Sequence, residues 1–239
     1  MIINKAFMSV DDNPLYSDFW EPVSKVWKLR FGITPHLIYF GEQDLSEEWG
    51  TVTKVTPVKG IPIHFQTQWA RFWFTSQEED SVCIVSDIDM FPISRYHFVE
   101  QISNLDSNKY VHLTGSHRPI PVCYHVAKGE VFKKVLKLDD TFEASCKRVW
   151  GSSIALGSHM GFSRWGLDEA YTTQMLEGYV GKDLLLLPNY VGPRLDRIAW
   201  DHTYSEDYFT LKKYIDAHSL RPYAEHRHTL DHLVTTLIS

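Results

Sequence analysis

Apolar positions along this chain fall into short continuous runs that alternate with stretches of helical spacing. Val82 to Val85 form one such run, closed off by Asp80 and Ser86. An unbroken run of this length is the pattern of a strand buried on both faces of a parallel sheet. Ile2 to Val10 reads as an earlier strand of the same kind, and Asp11, Asp12, Asn13 and Pro14 then supply a cap and a proline suited to a helix start. Phe19, Val23, Val26 and Trp27 recur at helical steps, Gly32 stands where a C-cap glycine belongs, and His36 to Phe40 predicts the next strand. A strand, helix, strand unit with a right-handed crossover makes its two strands parallel and turns the Ser9 to Asp12 loop toward a ligand-facing end.

The spacing continues with a strand over Val52 to Val58 and a helix from about His64. Phe65, Trp69, Phe72 and Trp73 form the packing face of that helix, and His64, Gln68, Arg71 and Thr75 share the other, where Arg71 reads first as a solvated charge. Further on come a short helix over Ser94 to Asn104, strands at Tyr110 to Thr114 and Val122 to Val126, and a helix bearing Val131, Phe132, Val135 and Leu136 with Lys133, Lys134 and Lys137 outward. A helix over Thr141 to Trp150 precedes GSSIALGSHMGFSRWG, whose glycine and serine content predicts a loop over a substrate. Asp168 and Glu169 fall at a helix start ahead of Ala170, Tyr171 and Met175. Leu184 to Leu187 reads as a last buried strand, and the tail from Arg194, dense in aromatics, histidines and arginines, is expected to dock on the body.

Composition narrows the function. With 239 residues, 44% of them hydrophobic, the chain can build one large core. A formal net charge of -6 argues against a nucleic-acid partner, which calls for a basic face. Cys83, Cys123 and Cys146 are an odd number with no C-x-x-C pair, so neither a disulfide framework nor a thiolate zinc site is expected, and a reducing cytoplasm fits. The apolar stretch at the start is short for a signal peptide, and no run approaches a membrane span. Composition leaves the oligomeric state open.

The candidate chemistry sits where the central apolar run ends, in SVCIVSDIDMFPI. If the chain stays extended past Ser86, Asp87 and Asp89 point the same way. Two carboxylates at the carboxyl end of a parallel strand suit a hard divalent cation that also holds phosphate oxygens, although a hydrated acidic turn has the same sequence.

In the order of these parts the chain resembles the GT-A fold of nucleotide-sugar-dependent glycosyltransferases, over roughly its first three quarters. The matching pieces are the strand ending Ser9-Val10-Asp11, the helix bearing Gln68 and Arg71, the Asp87-Ile88-Asp89 motif, and the acidic pair in Trp165-Gly166-Leu167-Asp168-Glu169. The resemblance implies one Rossmann-like α/β domain, a mixed but mostly parallel sheet flanked by helices. A nucleotide-sugar-binding half would span about residues 1–105, and an acceptor-binding half with a helical lid and docked tail the rest.

It also implies a metal-dependent hexosyltransferase that moves a sugar from a nucleoside-diphosphate sugar to a glycan or other hydroxyl acceptor. Ser9, Val10, Asp11, Gln68, Arg71, Asp87 and Ile88 would contact the donor. Asp87 and Asp89 would bind Mn²⁺ or Mg²⁺, and Asp168, with Glu169 second, would take the acceptor proton. A late histidine commonly completes the metal site in this family. Of His202, His218, His226, His228 and His232, we favour His218, expected on a loop that folds back over the diphosphate. A nucleotidyltransferase or metal-dependent phosphohydrolase also fits an acidic pair at a strand end. A catalytically silent glycan-binding relative fits the eight tryptophans and twelve tyrosines.

Overall fold

The computed structural model describes residues 1–114, 118–160, 166–179, 183–187, 193–197, 200 and 213–239, with side chains in 142–160 described as far as 152. The elements are β1 (Lys5–Asp11), α1 (Trp20–Phe31), β2 (Thr34–Phe40), β3 (Thr51–Lys54), α2 (Ile63–Thr75), β4 (Val82–Val85), β5 (Met90–Pro92) and α3 (Arg95–Phe98). They continue with β6 (Tyr110–His112), β7 (His125–Lys128), α4 (Gly129–Leu136), α5 (Phe142–Met160), α6 (Leu167–Gly178), β8 (Leu184–Leu186), β9 (Asp216–His218) and α7 (Arg227–Ile238).

Seven strands form one sheet in the order β3-β2-β1-β4-β7-β6-β8. Every neighbouring pair is parallel except the two made by β7, which runs against β4 and β6. This is the mixed, mostly parallel α/β sheet the sequence predicts. Strand alternation divides its apolar residues between two layers. Ala6, Met8, Val10, Val82 and Ile84 face the core under α1 and α7, whereas Phe7, Cys83 and Val85 face the core under α2, α4 and α6. Because both faces are covered, the central strands read as unbroken apolar runs. Gly32 caps α1 with a left-handed φ of 70°, which glycine adopts without steric cost.

Five expectations are corrected. The strand expected over Val122 to Val126 begins only at His125, because Tyr124 turns the chain with a φ of 71°. The helix expected over Ser94 to Asn104 breaks at Val99 into α3 and a 3₁₀ turn at Glu100–Ile102. The glycine- and serine-rich stretch is not all loop: α5 runs on to Met160. Residues 161–165 lie outside the described residues. Finally, β8 lies half-buried at the sheet edge, and it is not the last strand, since β9 follows and pairs antiparallel with β5.

Candidate active site

Parallel pairing of β1 with β4 sets Phe7 beside Val85, so the chain leaves both strands at the same edge of the sheet. Carboxyl ends of adjacent parallel strands form the ligand crevice of open α/β sheets. Here they open into a cavity of about 440 Å³. Every site residue singled out from the sequence lines it: Ser9, Val10 and Asp11 from the end of β1, Gln68 and Arg71 from α2, Asp87, Ile88 and Asp89 after β4, Asp168 and Glu169 from α6, and His218 from β9. The β1 loop is built by local hydrogen bonds. Asn13 N–H donates to Asp11 Oδ1 (3.2 Å), Leu15 N–H donates to Asn13 Oδ1 (3.1 Å), and Ser9 Oγ donates to the Thr67 carbonyl of α2.

One end of the cavity is acidic. Arg71, with 5% of its surface exposed, reaches between two carboxylates: one terminal nitrogen pairs with Asp87 Oδ1, and the other lies 3.4 Å from Asp168 Oδ2. The solvated reading of Arg71 is therefore corrected. Burial favours a neutral Asp87, but the Arg71 charge outweighs it and holds that carboxyl below its ordinary range. Asp168 is 2% exposed, and its burial wins over Arg71, raising it to about 6. Glu169 is raised to about 7, by burial first and then by the charges of Asp168 and Asp87. Asp87 and Asp168 thus share one guanidinium, with Glu169 close enough to feel both their charges.

The opposite end is cationic. The chain turns at Ile88 and Asp89 instead of staying extended, so the two aspartates part: Asp87 goes to Arg71, and Asp89 faces the C-terminal tail. Asp89 Oδ2 accepts from Arg197 at 2.9 Å, with His218 Nε2 at 3.4 Å and Arg221 Nε at 3.7 Å. His218 is on a strand and not, as expected, on a free loop. Its register opposite Met90 in the β5 and β9 pair fixes it beside Asp89. Burial lowers the His218 pKa, but the hydrogen bond and charge of Asp89 outweigh that and leave it raised. Behind this end, Arg194 makes a two-pronged pair with the fully buried Asp216, both contacts 2.9 Å, anchoring β9. Arg221 also stacks on Tyr16, 4.6 Å from the ring centre.

Of the other histidines, His226 lies just before α7 and His228 and His232 lie within it, and none of the three lines the cavity; His202 lies outside the described residues. Asn13, Tyr16, Arg197 and Arg221 line the cavity but carried no recognisable signal. Asn13 adjoins the Asp11-Asp12 pair and Arg221 follows His218 by three residues, so only proximity in sequence hinted at them. Among the described residues no three His, Cys, Asp or Glu side chains are already drawn together as a metal-ready group. The donor types at Asp87, Asp89 and His218 nonetheless suit a divalent cation: two carboxylates and an imidazole whose charge interacts with both aspartates. Asp89 already attracts positive charge from three side chains. Among the described residues no helix is long and apolar enough to cross a membrane.

No protein-family model and no curated protein sequence matches the chain. Solved structures do. The chain is similar to the galactosyltransferase LgtC in complex with donor and acceptor sugar analogs, with a TM-score of 0.56 and 12% identity over 98% of this chain and 96% of that one. An active-site mutant of LgtC gives a TM-score of 0.56 at 14% identity, over 98% and 96% of the two chains. The glycosyltransferase GlyE of Streptococcus pneumoniae gives 0.53 at 12% identity. That match covers 99% of this chain, which spans 62% of GlyE. At such identities the likeness is one of fold: the chain has the GT-A fold, and these structural neighbours are glycosyltransferases.

Proposed function

We propose that this protein is a hexosyltransferase-type glycosyltransferase that moves a sugar from a nucleoside-diphosphate sugar to a hydroxyl of a glycan or other acceptor. The observation that carries this reading is the polarity of the single cavity, cationic at the Asp89 end and acidic at the Asp168 end, at the carboxyl edge of a parallel sheet. A donor has matching polarity, with a diphosphate at one end and a sugar rich in hydroxyls at the other.

In this reading the Ser9 to Asn13 loop receives the nucleoside, and Arg197 and Arg221 hold the diphosphate by charge-assisted hydrogen bonds. Asp87, Asp89 and His218 would also hold Mn²⁺ or Mg²⁺, which when bound supplies Lewis-acid neutralisation of charge on the departing diphosphate. Gln68, Arg71 and Asp168 orient the sugar. The acceptor oxygen bonds to the anomeric carbon, the bond from that carbon to the diphosphate breaks, and the nucleoside diphosphate leaves with the electron pair. Glu169, more open than Asp168 and with a pKa near neutrality, takes the acceptor proton. Asp168, fixed by Arg71, stays with the sugar.

Titration calorimetry with UDP, GDP and their sugars, with and without Mn²⁺, tests the binding half of this reading; product analysis tests the rest. Transfer releases an intact nucleoside diphosphate, whereas nucleotidyl transfer or phosphohydrolysis releases pyrophosphate or phosphate. Failure of every nucleotide to bind, or release of phosphate alone, overturns it.

A further inference from the structure

We propose that the transferred sugar is uncharged, and that the acid end of the cavity rejects a uronate, a sugar oxidised to a carboxylate at its last carbon. This rests on the nucleotide-sugar reading above and names the sugar class that reading leaves open. With the diphosphate against Arg197 and Arg221, the acid end remains for the sugar. Its charged groups are Asp87, Asp168 and Glu169 against Arg71, whose two terminal nitrogens face Asp87 and Asp168.

The hydrogen-bonding capacity left over is that of a hydroxyl's partner. Gln68 Oε1 is buried and accepts from nothing, and Arg71 Nε, on a side chain more than nine-tenths buried, donates to nothing. A sugar hydroxyl can give its proton to the first or accept from the second, and can donate to a carboxylate oxygen as well. A uronate carboxylate has no proton to give to Gln68 Oε1 or to a neighbouring carboxylate, and it brings further negative charge to the end of the cavity where Asp87, Asp168 and Glu169 already outnumber the one guanidinium of Arg71. General exclusion of anions is not the cause, because Arg197 and Arg221 stand at the other end of the same cavity. Glu169 is the group to vary, since among the three carboxylates it alone makes no ion pair with Arg71 and is the natural neighbour of a bound sugar's outer rim.

Calorimetry on the full chain with Mn²⁺ compares UDP-glucose with UDP-glucuronate, UDP-galactose with UDP-galacturonate, and GDP-mannose with GDP-mannuronate, each referred to UDP or GDP alone. In every pair whose nucleoside diphosphate binds, the uronate is expected to bind at least about tenfold more weakly than its hexose. The isosteric Glu169→Gln change is expected to narrow that gap. A uronate that binds as tightly as its hexose overturns the proposal, and so does a gap that Glu169→Gln leaves unchanged. If neither UDP nor GDP binds, the nucleotide-sugar reading itself falls and takes this one with it.

Discussion

At the scale of single residues, the charges around Arg71 make two outcomes calculable. Truncating it leaves Asp87 and Asp168 facing each other without their cation, and an uncompensated buried carboxylate is costly. Arg71→Ala is expected to lose about 3 kcal/mol of unfolding free energy in urea titrations, the low end of the usual range because Asp87 is partly exposed. Glu169 acts through pH. Its carboxyl is raised to about 7 in the folded protein from an ordinary 4.5, so between those values the folded state binds a proton that the unfolded chain releases. The stability it contributes is complete below about pH 4 and is lost as pH rises through 7. Glu169→Gln removes that loss. Urea midpoints at pH 5 and pH 8 should show the variant gaining on the parent by about 1–2 kcal/mol at the higher pH, the full shift being discounted for the solvent-facing part of the side chain.

At the scale of elements, β4 ends the junction between α2 and the cavity, and α4 closes the other side of that layer through Gly129. A Cβ there would stand 2.5 Å from the Glu78 carbonyl oxygen and 2.6 Å from its carbon, both backbone atoms that cannot swing aside. Gly129→Ala is expected to cost about 1–3 kcal/mol, seen as a lowered Tm in a thermal scan, because the α2 to β4 turn must shift to admit it. Elements with local signals were legible in the sequence. Val82 to Val85 is apolar because both its faces are covered, and Gly32 marks a helix end because only a left-handed residue fits there. β9 was not legible, since Asp216, Ala217 and His218 carry no strand pattern of their own and are held by distant partners: β5, the Leu195 backbone and Arg194. Val122 to Tyr124 misled for the opposite reason: they are apolar because they are buried, in a turn. That Asp87, Asp89 and Asp168 would share one cavity followed from element order and the family resemblance; spacing alone placed the two aspartates side by side, and the turn at Ile88 and Asp89 parts them. Burial of Arg71 was not legible, because its partners arrive from α6 and from beyond β4.

At the scale of the whole molecule, a chain of net charge -6 gathers Arg197, Arg221 and His218 at one end of the cavity, which on the proposed function is the local positive charge that a diphosphate needs. Arg221→Ala is expected to weaken UDP or GDP binding about tenfold in calorimetry, and added salt should weaken the parent more than the variant. Those cations arrive by the β9 pairing, which sets an order of assembly. Strands β1, β2 and β4 all lie within the first 85 residues, whereas Met90 must wait for His218. On a ribosome, the amino-terminal sheet emerges first and the diphosphate grip last. On the proposed function, a polypeptide still being made would therefore leave nucleotide sugar free in the cell until β9 had docked.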